Sequence, residues 1–272
     1  MEGCIVYFSF FNLRKHKCGV NILLDLQNKT AVVTGGAQGL GLGMATGLLE
    51  AGVRVCIIDR SQEVHEIVEN LRAEYPSVYC LQADLGEVDK LPSVISEAIK
   101  LLDDEIDILV NNAGIHKSME ASKLPLQNFR DIFNVNVTAV FELSRLAAAK
   151  MVQKGAGKII NIASVLAFQG GYHAAAYSSS KGAVAQLTKS LSNEWASKGI
   201  QVNAIAPGYF NTDINRHILN DPDRFQSLID RIPAGRFGYP EELKGAVQFL
   251  ASEKSNYING IILPVDGGFL GR

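Results

Sequence analysis

The chain has no surplus of either charge. Its 26 Lys and Arg against 28 Asp and Glu leave a formal net charge of -2 over 272 residues. That excludes the basic surface of a nucleic-acid partner and leaves a small molecule as the expected one. Cysteine is scarce: Cys4, Cys18, Cys56 and Cys80 are widely spaced, without a Cys-x-x-Cys pair. Neither a disulfide framework nor a thiolate metal site is expected, and a reducing compartment, the cytoplasm, fits. The five histidines, His16, His65, His116, His173 and His217, lack ligand spacing, so no metal is expected. No run approaches the roughly 20 apolar residues that cross a membrane. No Pro-rich or Gly/Ser-rich linker and no long repeat interrupts residues 30–272, so residues 27–272 are expected to form one domain.

Residues 1–26 stand apart from the rest. Cys4 to Phe11 is apolar and Arg14-Lys15-His16-Lys17 is basic, the reverse of the order in a secretory signal. The expectation is a loosely ordered arm, or a natural start downstream, near Val20.

What the chain does have is apolar runs alternating with helical patterns. The runs Ala31–Thr34, Val53–Asp59, Val78–Gln82, Ile106–Val110, Lys158–Ile162, Gln201–Ala206 and Ile261–Val265 predict strands. Several are continuous in Val, Ile and Leu, as strands buried on both faces read. The pattern predicts an α/β fold, a doubly wound parallel sheet of about seven strands with helices on both faces.

The first run leads into Thr34-Gly-Gly-Ala-Gln-Gly-Leu-Gly41 and a helix over Leu42–Ala51. Glycines let a backbone approach a pyrophosphate, and a helix N-terminus offers N–H groups and partial positive charge. A bare structural turn reads the same way, but the next strand ends on Asp59, about 20 residues after Gly39, where a carboxylate can accept bonds from ribose hydroxyls. An acid there repels a 2'-phosphate, favouring NAD over NADP, although Arg60 beside it keeps the alternative open. Asp84 ends the third strand and suits an adenine amine. Asn111-Asn112-Ala113-Gly114 follows the fourth, small enough for close cofactor approach.

A helix is predicted over Gln127–Met151, with Asn136 on its apolar stripe. A buried amide must be hydrogen-bonded, so Asn136 either mends a local backbone break or holds a water at a site. Further on, Tyr177 and Lys181 lie roughly 40° apart on one face of a predicted helix, in a stripe with Val184, Thr188, Leu191 and Trp195. A tyrosine of pKa about 10 is a poor base near neutrality. An ammonium roughly 4 to 5 Å away favours phenolate by roughly 3 to 4 kcal/mol before desolvation is subtracted. Alone, the pair also fits a lysine lying over an aromatic ring.

Taken together, Thr34-Gly-x-x-x-Gly-x-Gly41, Asp84, Asn111-Asn-Ala-Gly114, Asn136, Ser164, Tyr177-x-x-x-Lys181 and Pro207-Gly208 resemble the short-chain dehydrogenase/reductase family in order and spacing. The resemblance implies a single Rossmann-type domain and an NAD-dependent oxidoreductase acting on secondary alcohols. It implies Tyr177 as general acid and base, Lys181 lowering the tyrosine pKa and bonding the nicotinamide ribose, Ser164 orienting the substrate oxygen and Asn136 holding a relay water. Cofactor contacts are implied for Gly35, Gln38, Gly39, Leu40, Asp59, Arg60, Asp84, Leu85, Asn112, Ala113, Gly114, Tyr177, Lys181, Pro207, Gly208, Phe210 and Thr212. In the family the helices around Asn136 and Tyr177 usually build dimers and the last helix and strand complete a homotetramer, and the small faces Ala147–Ala149 and Ala183, Ala185 permit that here.

Within the family, Lys158–Ser164 with Phe168–Gly171, Asn193–Ala196, Val202–Tyr209, Arg231–Arg236 and Val265–Gly268 are similar to the sugar-acid dehydrogenases that act on 2-dehydro-3-deoxy-D-gluconate. Gluconate 5-dehydrogenases share less of these segments. Polyol dehydrogenases and 3-oxoacyl reductases are the alternatives within the family. A non-catalytic dinucleotide-binding protein, the remote one, would be expected to lose the Ser, Tyr or Lys. The departures lie on the substrate side: His116-Lys117-Ser118 where an arginine is usual, Tyr172-His173-Ala-Ala-Ala176 without the usual proline, and Asp213-Ile214-Asn215 after Thr212. A carboxylated substrate needs a cation or donors, and Lys117, His173 and Arg216 are the expected suppliers, with Gln169 and Tyr209 lining the pocket.

Overall fold

Continuous runs of Val, Ile and Leu are stable only between two layers of helices, and that is where they lie in the computed structural model, which describes residues 26–272. The expected N-terminal arm and start near Val20, with Cys4 and Cys18, fall outside the described residues. The strands are β1 (Thr30–Thr34), β2 (Arg54–Asp59), β3 (Val78–Gln82), β4 (Ile108–Asn111), β5 (Gly157–Ile162), β6 (Ile200–Pro207) and β7 (Ile262–Val265). They pair throughout in parallel, in the order β3-β2-β1-β4-β5-β6-β7.

Alternate side chains on each strand feed two cores. Val33, Val55, Ile57 and Val110 pack on one face against α1 (Gly39–Glu50), α2 (Val64–Arg72) and a later helix, Lys244–Ala251. Val32, Cys56, Ile58, Leu109 and Ile159 pack on the other face against α3 (Leu91–Lys100) and the helices Ala139–Lys154 and Ala175–Trp195. All five residues of β1 are buried, and each large aliphatic side chain removed from water contributes roughly 1.5 to 3 kcal/mol. Strand order reverses between β1 and β4, which opens a crevice at their carboxyl ends.

The helix predicted over Gln127–Met151 is three pieces. α4 (Leu126–Phe133) passes through a π-helical turn, Asn134–Thr138, into α5 (Ala139–Lys154). The wide turn puts Asn136, completely buried, on the inner face. Its Oδ1 accepts from the Ile115 N–H at 2.8 Å, and its Nδ2 donates to the Ile115 carbonyl at 3.0 Å and to Ser180 Oγ at 3.0 Å. The side chain thereby ties the loop after β4 to α6 (Ala175–Trp195).

Two short helices, α7 (Arg216–Leu219) and α8 (Pro222–Ile229), leave the sheet after β6. Ile218, Leu228, Ile232, Phe237 and Phe269 form a small separate core beneath them. This excursion roofs the carboxyl ends of β5 and β6, and the chain returns through α9 (Lys244–Ala251) to β7.

Candidate active site

The crevice between β1 and β4 is built by glycine and held by amides. Gly35 has a φ of +63°, and a Cβ there would lie 2.8 Å from Ala113 Cα. Only glycine meets both conditions. Asn112 Nδ2 donates to the carbonyls of Thr34 (2.9 Å) and Gly35 (2.8 Å), while Thr34 Oγ1 accepts from the N–H groups of Asn112 and Ala113, both at 3.0 Å. Much of the Asn-Asn-Ala-Gly segment therefore braces the glycine turn. A Cβ on Gly41 would lie 2.0 Å from the Gly35 carbonyl oxygen, so the turn closes tightly over the start of α1.

This cradle fits a dinucleotide. No side chain caps α1 at Gln38, and its first turn carries no acid. Its opening N–H groups and partial positive charge are left for an anion. Gly35, Gln38, Gly39, Leu40, Asp59, Arg60, Asp84, Leu85, Asn112, Ala113, Gly114 and Thr212 line one cleft, which ends at Tyr177 and Lys181. Asp59 receives the Ala37 N–H on Oδ2 and the Ser61 N–H on Oδ1, both at 3.0 Å. The carboxylate thus shapes the turn as well as bordering the cleft. Asp84 Oδ1 accepts from the Gly86 N–H at 2.8 Å.

At the end of the cleft, α6 carries Tyr177 and Lys181 one turn apart. Lys181 is 4% exposed, and its Nζ donates to the Ile162 carbonyl at 2.6 Å while lying 5.6 Å from the Tyr177 ring centroid. Burial pulls its pKa down to about 8. A Cβ on Gly114 would sit 3.4 Å from Asn136 Oδ1 and 3.6 Å from Lys181 Nζ, so the amide, the ammonium and this glycine share one small space. Ser164 follows β5 in extended backbone, and its Oγ accepts from the Leu166 N–H at 3.1 Å.

The Tyr177 phenol is pushed up to about 12, by burial, against a downward pull from the hydrogen-bonded Ser164 hydroxyl. Lys181, whose Nζ lies 5.6 Å from the ring centroid, is where a positive charge would favour the phenolate.

A second cavity, about 650 Å³, adjoins the first and is lined by Ser164, Gln169, Tyr177, Pro207, Gly208, Tyr209, Phe210 and Thr212. Pro207, Gly208 and Phe210, expected against the cofactor, border this cavity and not the cleft. Phe210 is 3% exposed and packs into the core below α1, which commits its ring to stability.

Three of the expected substrate contacts lie elsewhere. Lys117 Nζ is held by Asp131 at 3.1 Å and by Asn128 at 2.9 Å. Arg216 pairs with Asp213 one turn away. His173, at a φ of +55°, stacks on Tyr172 with ring centroids 3.9 Å apart. None of the three lines the cavity. For Lys117 and Arg216 a carboxylate already engages the charge. Gln169 and Tyr209 do line it, and so do His116, Arg224 and Arg231, which composition and spacing did not single out for binding. The His116 ring lies 4.8 Å from the Tyr177 ring.

The profile of the family described as short chain dehydrogenase matches residues 29–223. The 2-dehydro-3-deoxy-D-gluconate 5-dehydrogenase of Dickeya dadantii is 43% identical over 91% of this chain and 98% of its own. The 5-keto-D-gluconate 5-reductase of Escherichia coli is 40% identical over 92% of this chain and 99% of its own. A crystal structure of a gluconate 5-dehydrogenase from Burkholderia cenocepacia, in complex with NADP and tartrate, is 38% identical. It superposes with a TM-score of 0.87 over 92% of this chain and 99% of that one.

Proposed function

The chain belongs to the short-chain dehydrogenase family, and from that premise we propose that it exchanges hydride between NAD and a secondary alcohol or ketone of a sugar acid, with a 2-dehydro-3-deoxy-D-gluconate-like compound as substrate. The observation that carries this reading is that Tyr177 borders both cavities. One phenol thus faces the cofactor cleft on one side and the substrate space on the other.

In this proposal Tyr177 is the general acid and base. The bound nicotinamide supplies the hydride acceptor for oxidation and the donor for reduction. With its pKa near 12, the phenol is protonated at neutral pH and ready to donate to the oxygen formed in ketone reduction. In the oxidative direction it must take the alcohol proton, and the positive charge on Lys181 assists by stabilising phenolate. Ser164 accepts or donates to the same substrate oxygen and fixes it against Tyr177. Asn136 keeps the loop after β4 and α6 in register, beside the space where a water would link Lys181 to solvent.

Asp59 supports NAD as the cofactor, since its carboxylate borders the cleft and repels a 2'-phosphate, while Arg60 would attract one. Among relatives, the Burkholderia cenocepacia structure is a complex with NADP. The same reading takes residues 27–272 as one domain of a homotetramer acting in the cytoplasm, without a nucleic-acid or membrane partner. Phe141, 42% exposed on α5, supports a subunit contact there. None of the described helices is long and apolar enough to cross a membrane.

The test is oxidation and reduction of sugar acids, polyols and 3-oxo thioesters with both nicotinamide cofactors, followed by absorbance of the reduced ring. Highest kcat/KM on a sugar acid with NAD is expected. Preference for the thioesters or for uncharged polyols would overturn the substrate assignment.

A further inference from the structure

The cavity beside Tyr177 has a wall that a carboxylate would recognise. Its far side is formed by α8, whose Arg224 faces inward, and by Arg231 just beyond the helix. Both guanidinium groups lack an ion pair among the described residues, unlike Lys117 and Arg216, which are already engaged. Arg231 is exposed, with its Cζ 4.6 Å from the Phe269 ring centroid. Arg224 is half-buried.

Tyr209 stacks on Phe237 at 5.5 Å and meets Phe269 edge-on at 5.4 Å, and it lines the same cavity as both arginines. Tyr209 in turn is felt electrostatically at Tyr177. Tyr177, Tyr209, Arg224 and Arg231 all border this one cavity.

Acids are present as well. Asp221 and Asp223 border the same cavity. Asp221 is used locally, its Oδ1 accepting from the Arg224 N–H at 3.1 Å to cap α8, and Asp223 is exposed. Neither forms an ion pair with either guanidinium.

We propose that Arg224, with Arg231 and the Tyr209 hydroxyl beside it, binds the carboxylate of the substrate and so fixes which carbon reaches Tyr177. This rests on the sugar-acid reading above. A guanidinium offers two parallel N–H donors to a carboxylate, and in a half-buried setting that pair is stronger than a lysine point charge. Lys117, on the loop after β4, is held by Asn128 and Asp131 and does not line this cavity.

The experiment compares D-gluconate with D-glucitol, which replaces the carboxylate by a CH2OH group, on the full chain with NAD. Arg224→Gln is expected to lower the gluconate-to-glucitol ratio of kcat/KM by tenfold to a hundredfold, mainly through KM, with Arg224→Lys restoring part of it. A ratio unchanged in Arg224→Gln would overturn the inference while leaving the proposed function intact. Calorimetric binding of gluconate to the wild type and to Arg224→Gln, both with NADH bound, separates the two ideas further. If the wild type turned over no sugar acid, the function would fail. Gluconate binding that depended on Arg224 would still support the carboxylate site, and binding that was absent or independent of Arg224 would overturn it.

Discussion

Asp59 serves two purposes with one carboxylate. Its oxygens accept the N–H groups of Ala37 and Ser61, which shapes the glycine turn, and its charge borders the cofactor cleft. Asp59→Ala is therefore expected to weaken binding of either dinucleotide through the turn, and separately to remove the repulsion of a 2'-phosphate. The ratio of kcat/KM with NAD to that with NADP isolates the second effect. It should fall at least tenfold, and an unchanged ratio would contradict a role for Asp59 in cofactor choice. Residue identities of this kind were legible in the sequence because the chemistry demands particular types at particular offsets. The cations of the substrate cavity were not. Lys117 and Arg216 looked available, yet Lys117 pairs with Asp131 of α4 and Arg216 with Asp213 one turn away. Arg224 and Arg231 gain their meaning only from the packing of Tyr209 and Phe269.

At the scale of the element, β5 separates function from stability along one strand. Its carboxyl end leads to Ser164, while its amino end carries Lys158, 9% exposed, with Nζ donating to Asn256 Oδ1 at 2.7 Å and to Ser255 Oγ at 3.2 Å. Burial lowers the Lys158 pKa to about 8. A lysine with a depressed folded pKa opposes folding most where both states are charged, below about pH 8, and the opposition fades as pH rises toward its unfolded value of about 10.4. A shift of this size corresponds to at most roughly 3 kcal/mol. Lys158→Met, which keeps the stem volume, is expected to be at least as stable as the wild type at pH 7. Its advantage should shrink between pH 8 and 10, read from urea midpoints, and an advantage that grew over that interval would contradict the assignment. Strands such as β5 were legible to within two residues because runs buried on both faces leave a continuous apolar signature. The break between α4 and α5 was legible only as one of the two readings of Asn136. Helical periodicity survives a single π turn, and the backbone over Asn134–Thr138, with the bonds from Asn136 to Ile115 and Ser180, decides for the break.

At the scale of the whole molecule, the doubly wound sheet places two cavities side by side, and the reversal of strand order between β1 and β4 decides where. That architecture was legible from the alternation of runs and glycine turns. The roof over the second cavity was not, because α7 and α8 are short and their small core is assembled from segments as distant as Val165 and Phe269. Burial under this roof explains why the Tyr177 phenol is held protonated, near 12. It also makes the residue's role separable from cofactor affinity, since most of the cleft is formed by β1, β2, β4 and the turns that follow them. The most direct measurement is turnover of the preferred substrate by Tyr177→Phe alongside NADH binding followed by fluorescence. The account predicts that kcat falls by about 10² to 10⁴-fold while NADH affinity stays within a few-fold of the wild type. Turnover near the wild-type rate would contradict Tyr177 as the group that moves the proton.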